Sequence, residues 1–270
     1  LYPRALHDAG LLQTAYSVDS ALVETVFILG PALVALLVAV DMPAGAVMLA
    51  AACAAVGGAI FLRSPAIKGW NAPAAGSRRR GLALWRHPRL VAVFAATLMY
   101  SVAFGLFEVA VTAFAAQKGV PAAAGIALAL ASAGSAVGAL VYGSRAWSPP
   151  LPRQFLIGLG LMAAGTLLLA GVGNVHLFAL LSIVAGAPMA PVIAAQSLLL
   201  SRLAPREMLA EAFTWGSTCL LGGIGAGIAA GGLLAEYIAP SLILVAAAGA
   251  TACAGAIAWF ALDGEMPGAS

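Results

Sequence analysis

The sequence predicts an all-α fold, a polytopic transmembrane helical bundle of about eight spans. Three observations carry that prediction. Hydrophobic residues make up 63% of the 270-residue chain and charged residues only 9%. Soluble proteins carry about 25% charged residues, so most of this chain's surface has to face lipid. Apolar runs of membrane length recur along the chain, a bilayer core taking about 20 helical residues. Basic residues concentrate in alternate connections between those runs. Within hydrocarbon each backbone donor must bond inside its own segment, which makes the spans helices.

The runs follow in order as 21–40, 45–62, 90–115, 121–142, 155–172, 175–200, 208–234 and 242–262. The longer ones need tilt or interfacial ends. The first begins polar, carries Glu24 into the apolar stretch and holds Gly30-Pro31 in its middle. A long connection rich in Arg, Pro, Gly and Ala separates the second from the third. The third contains Glu108, and the fourth has Gly134 and Gly138 four residues apart. The sixth is interrupted midway by Pro188 and Pro191 in "GAPMAPV". The seventh opens with Glu207 and Glu211, an acidic start favoured by the helix dipole, and repeats glycine at Gly223, Gly227 and Gly231. Small residues four apart let helices touch backbone to backbone.

Of the 13 lysines and arginines, all but Lys118 fall before the first span, in the 63–89 connection, or between spans four and five or six and seven. Positive residues stay cytoplasmic. Both ends of the chain are therefore expected in the cytoplasm of a bacterial-type inner (plasma) membrane. The Arg78-Arg79-Arg80 cluster reads as topology-setting charge with anionic-lipid contact beside it, and no nucleic-acid partner is expected. Cys53, Cys219 and Cys253 lie inside apolar runs without metal-ligand spacing, and read as small buried hydrophobes. The chain starts at Leu1 with no signal peptide visible, and reads as a fragment.

Several stretches resemble one family. "VFILGPALVALL" (26–37) is similar to the fifth helix of major facilitator superfamily (MFS) transporters, with its glycine-proline pair. "IALALASAGSAVGALVYG" (126–143) resembles the eighth. "SLLLSRLAPREMLAEAFTWGSTCLLGGIGAGIAAGGLLAE" (197–236) resembles the end of the tenth and all of the eleventh. In two places the chain departs from the pattern. Val34 and Ala35 stand where antiporters of the family often have two glycines, and "GSRAWSPPLPRQ" (143–154) lacks the acidic, Gly-Arg-rich loop signature. The resemblance implies an N-terminally truncated chain. Residues 1–62 would be the last two helices of the N-terminal half and 63–89 a basic cytoplasmic linker. Residues 90–262 would form the C-terminal six-helix half, and 263–270 a cytoplasmic tail. It further implies a monomer that transports a small solute by alternating access, coupled to protons, with export favoured over import. The rival reading is a permease subunit or scaffold energised by a partner protein.

The candidate pathway residues are polar groups carried into the spans. An acid at a helix centre costs about 2.5–3.5 kcal/mol on insertion scales, so it faces a cavity or a partner. Thr97, Ser101, Glu108 and Thr112 are spaced to form one stripe down a helix face, flanked by Phe104 and Phe107. Two readings fit Glu108: a group that takes up and releases a proton along a wet path, or a hydrogen-bonded structural acid between helices. Ser20 and Glu24 share a face at the start of the first span, either as a polar lining at the mouth or as interfacial groups reaching headgroups. Gly30 and Pro31 are read as a packing and kink device. Trp215 shares a face with Glu211, and Gln196 lies at a similar depth, which offers a small polar contact set between spans six and seven. The proline break in the sixth span either borders a site, as broken helices in transporters do, or is a tolerated kink. Gly134, Gly138, Gly223, Gly227 and Gly231 are read as helix-packing positions. The aromatic lining with few charges points to amphipathic or neutral solutes.

Catalysis and cofactors are not indicated. His7, His87 and His176 are scattered at span edges and in loops. No nucleophile elbow, metal-protease helix or phosphate-binding loop occurs in the sequence. The glycine run of span seven follows no strand, so it is not a phosphate cradle. No metal site and no cofactor are expected.

Overall fold

A computed structural model describes residues 42–64, 84–145 and 147–262, together with Val26, Gly30, Leu33 and Leu37. The expected span at 21–40, with Ser20, Glu24 and Pro31, lies outside the described residues apart from those isolated positions. So do most of the basic connection and the 263–270 tail.

Within the described residues the chain consists of helices joined by turns and short loops, without a strand. Helix α1 covers Pro43–Arg63, with proline at its first turn, where a missing N–H costs nothing, and Arg63 in its last. A 3-10 turn at Leu84–Arg86 buries Leu84 and leads into α2, Pro88–Gln117. Thirty residues give α2 a length of about 45 Å, more than the roughly 30 Å hydrocarbon core. Its end is fixed by Gly119 at φ +72°. The Gly119 N–H donates to Ala116 O at 3.0 Å and the Val120 N–H to Ala115 O at 3.0 Å, the bond pair of a glycine-terminated helix. Helix α3 (Ala122–Gly143) and helix α4 (Leu151–Ala170) follow.

The sixth expected run is split as its prolines dictate. Helix α5 spans Val175–Gly186 and α6 spans Met189–Leu203. The Asn174 side chain caps α5, accepting from the His176 and Leu177 N–H groups at 2.9 and 3.0 Å. A second 3-10 turn, Arg206–Met208, precedes α7 (Leu209–Ala235), and α8 (Pro240–Leu262) ends the described chain. Counting α5 and α6 as one span, seven helices among the described residues are long and apolar enough to cross a membrane. They occupy the second to eighth expected runs.

The buried side chains divide into two tiers by height. One tier gathers the first half of α2, the first half of α4, the last half of α6, the start of α7 and the end of α8, from Leu90 to Leu262. The other gathers the second half of α2, the start of α3, the end of α4, α5 and the start of α8. Spans that alternate in direction produce this division. It brings Arg89, Arg153 and Arg202, each near a helix end, to the height of the first tier. That is the basic end of the bundle, and Lys118 lies at the other.

Helix α2 is the most buried span and packs chiefly against α7 and α8; α3 packs chiefly on α5, and α4 on α8. Call α2, α3 and α4 one group, and α5/α6, α7 and α8 the other. The first member of each group packs on the second member of the other, and the third members pack on each other. The groups start from opposite ends of the bundle. Helix α1 stands apart in burial: none of its described residues is buried, and every one from Val47 to Arg63 is exposed. Cys53 and Cys253 are exposed and Cys219 is half-buried, a correction to the expectation of buried thiols. An apolar residue on a membrane helix needs no protein cover, because lipid serves as well.

Candidate functional site

The site is built where α2 meets α6 and α7. Glycines set the distance between α2 and α7. A Cβ placed on Gly223 would lie 2.7 Å from Leu98 O and from Ser101 Cβ, and one on Gly231 would lie 2.9 Å from Val109 Cβ. At Gly227 it would meet the Val102 carbonyl, with Gly105 Cα 3.0 Å away. The two helices run in parallel, four residues of one stepping with four of the other. No side chain larger than hydrogen fits at these crossings. Gly134 and Gly138 do the same for α3, where a Cβ would strike the Ile183 and Ala187 carbonyls of the broken span. Gly30, by contrast, has nothing within 4 Å among the described residues.

The stripe Thr97–Ser101–Glu108–Thr112 runs beside the α7 contact and changes character along its length. Thr97 and Ser101 are both fully buried. The Thr97 hydroxyl donates to Val93 O at 2.8 Å, inside its own helix. Ser101 Oγ has no hydrogen-bond partner among the described residues, although a buried hydroxyl without one costs about 1–3 kcal/mol. Glu108 is half-buried, and its carboxylate has no hydrogen bond or ion pair among the described residues. Thr112 is exposed and donates to Val109 O at 2.8 Å. Phe104 is half-buried and stacks on Phe107 at 6.4 Å, while Phe107 is buried in the second tier rather than lining an opening.

Gln196 enters from α6, buried, and accepts the Tyr100 hydroxyl at 2.5 Å through Oε1. This bond joins residues 96 apart in the chain. Gly216 of α7 leaves room for the amide: a Cβ there would sit 3.3 Å from Gln196 Nε2. Trp215 is half-buried and does not share that bond; its ring meets Trp85 edge-on at 5.3 Å, over the 3-10 turn. The structure therefore brings Gln196 to the stripe's helix and sends Trp215 to an aromatic cluster at the basic end. Glu207 falls in the second 3-10 turn and Glu211 in the first turn of α7, at the positive end of the helix dipole.

Sequence reasoning missed Tyr100 and Trp85. Tyr100 was recoverable in part, because it sits three residues after Thr97 and four before Phe104 on one side of α2. Trp85 carried no periodic signal, since it lies in a 3-10 turn outside any span.

Chemically, among the described residues, the junction offers a hydroxyl without a partner and an amide held by a phenol, and α2 carries, seven residues beyond that hydroxyl, a carboxylate without an ion pair. Neutral hydrogen-bonding groups and one acid suit the capture and release of a proton or a weakly polar solute. Comparison with protein-family models, curated proteins and solved structures finds no match to this chain.

Proposed function

We propose that this chain is part of a secondary active transporter of a small solute, working by alternating access in the manner of the major facilitator superfamily. The observation that carries the reading is the reciprocal packing of α2–α4 and α5–α8, two three-span groups of opposite direction. Inverted repeats of this kind, with a broken helix at the repeat interface, recur in secondary transporters. The break between α5 and α6 supports the reading by supplying a broken helix in the second group.

In this reading the basic end is cytoplasmic, the membrane is a bacterial-type plasma membrane, and α1 belongs to the other half of a twelve-span protein. Glu108 is the protonated and deprotonated group. Its lack of a partner among the described residues supports that role over the structural one, since a structural acid would be held by a donor. Ser101 and Thr112 extend the polar path above and below it.

The test is transport by the complete gene product in proteoliposomes, across a small solute panel, with and without an imposed proton gradient. The Glu108→Gln variant is expected to insert normally and to lose gradient-driven transport. Transport in that variant with an unaltered pH profile removes Glu108 from the mechanism. An upstream reading frame without four further apolar segments of membrane length removes the twelve-span reading.

A further inference from the structure

Away from the candidate site, α4 and α8 leave a groove of about 510 Å³ on the outside of the bundle, with Arg153 at its head and Thr251 and Ala163 toward its foot. The two helices are antiparallel there, so Arg153 stands at the height of Trp259 and Gly160 at that of Ala252. Two kinds of glycine separate along α4. A Cβ on Gly158 would be 2.7 Å from a Val192 methyl, and one on Gly165 would be 2.8 Å from Ala185 Cα. Gly160, on the groove, has nothing within 4 Å, and neither has Gly255 across from it. The small residues here hold space open instead of closing a helix contact.

The shape and charge of that space specify an occupant. From Arg153 to Ala163 the groove runs ten residues, about 15 Å at the helical rise. That equals one leaflet of a hydrocarbon core roughly 30 Å thick. Arg153 is exposed and is the only charged group among the described residues lining the groove. It also sits in the first turn of α4, where the helix dipole adds positive potential and repels a cation. Thr251 bonds Ala247 O at 3.1 Å, so the foot of the groove asks for no polar ligand. Trp259, half-exposed beside the head, has the amphipathic ring that settles at headgroup level.

We propose that this groove is a binding site for an anionic phospholipid of the leaflet at the basic end. The phosphate lies on the Arg153 guanidinium, and one acyl chain fills the channel past Gly160 and Gly255. The site needs no transport activity to be tested. The full chain is reconstituted in phosphatidylcholine vesicles holding a small fraction of lipid brominated in mid-chain, with either a phosphatidylglycerol or a phosphatidylcholine headgroup. The emission of Trp259 is taken as the difference between the wild type and Trp259→Phe.

Brominated phosphatidylglycerol is expected to quench Trp259 about five-fold more effectively per molecule, the preference one arginine gives at an anionic surface. Arg153→Gln should make the two lipids equal. Gly160→Leu with Gly255→Leu, which fills the groove without striking backbone, should remove quenching by both. Equal quenching in the wild type overturns the proposal. So does absence of quenching by either lipid together with a cross-linked dimer, which would mean that a second copy covers this face.

Discussion

Helix α1 and helix α7 are built from the same kinds of residue and end in opposite situations. Both are rich in alanine and glycine, and α1 is the most apolar of the seven spans. Yet none of α1's described residues is buried, and Gly57 and Gly58 have nothing within 4 Å. In α7 the glycines at 223, 227 and 231 lie against the backbone or Cβ atoms of α2. Hydrophobicity puts a helix into the membrane, but lipid tails are as apolar as leucine, so it gives no reason for two helices to meet. What separates the two is the neighbour, not the spacing. In α7 the glycines at 223, 227 and 231 meet a matching face of α2. In α1, Ala50, Ala54 and Gly58 keep the same four-residue interval, and each of them is exposed.

That contrast can be broken by substitution, and the largest effect belongs to α7. Gly227→Leu would drive a side chain into the Val102 carbonyl and Gly105. Backbone cannot yield as a flexible side chain can, so the cost should reach the top of the overpacking range, about 3 kcal/mol or more. Unfolding of the reconstituted chain, followed by tryptophan emission in mixed micelles, measures it. Little loss there would mean that α2 and α7 separate easily and that their glycines are not the join.

Tyr100→Phe comes next. It leaves the Gln196 carbonyl oxygen buried without its donor, at about 1–3 kcal/mol. Combining it with Gln196→Met removes both partners and should recover most of the loss; a double variant as unstable as the sum of the singles would deny the coupling. Gly119→Ala is smaller, about 1 kcal/mol, because alanine resists the left-handed φ of +72°. The melting temperature of α2's hydrogen-exchange protection reports it. Smallest of all, Gly57→Leu in α1 should shift stability of this chain by no more than about 0.5 kcal/mol. A large loss would show that α1 already has a protein partner and would collapse the contrast.

Much of the fold was legible because the signals are local. Proline at 188 and 191 divided the sixth span into α5 and α6, as the sequence indicates, since a proline lacks the N–H that the turn before it needs. The glycine intervals marked Gly134, Gly138, Gly223, Gly227 and Gly231 as packing positions, and each meets backbone or a Cβ across a helix contact. The stripe on α2 was visible as spacing, but its burial was not. Thr97 and Ser101 are sealed while Thr112 is open, and only the neighbours of α2 set that gradient. Gln196 was marked as a polar group at membrane depth, though its partner was not, because Tyr100 lies 96 residues away.

Composition and charge order alone determined that this chain is a series of membrane-length helices with every basic residue but Lys118 at the N-terminus or in alternate connections. The reason is that a helix satisfies its backbone within itself, so each span can be read without knowing any other. Only the tertiary structure decided which helices meet and which face of α2 is shut. It likewise decided that none of α1's described residues is buried while α4 and α8 part to leave a groove. Those outcomes depend on surfaces matching across long stretches of chain, and a match between two surfaces is written in neither one by itself.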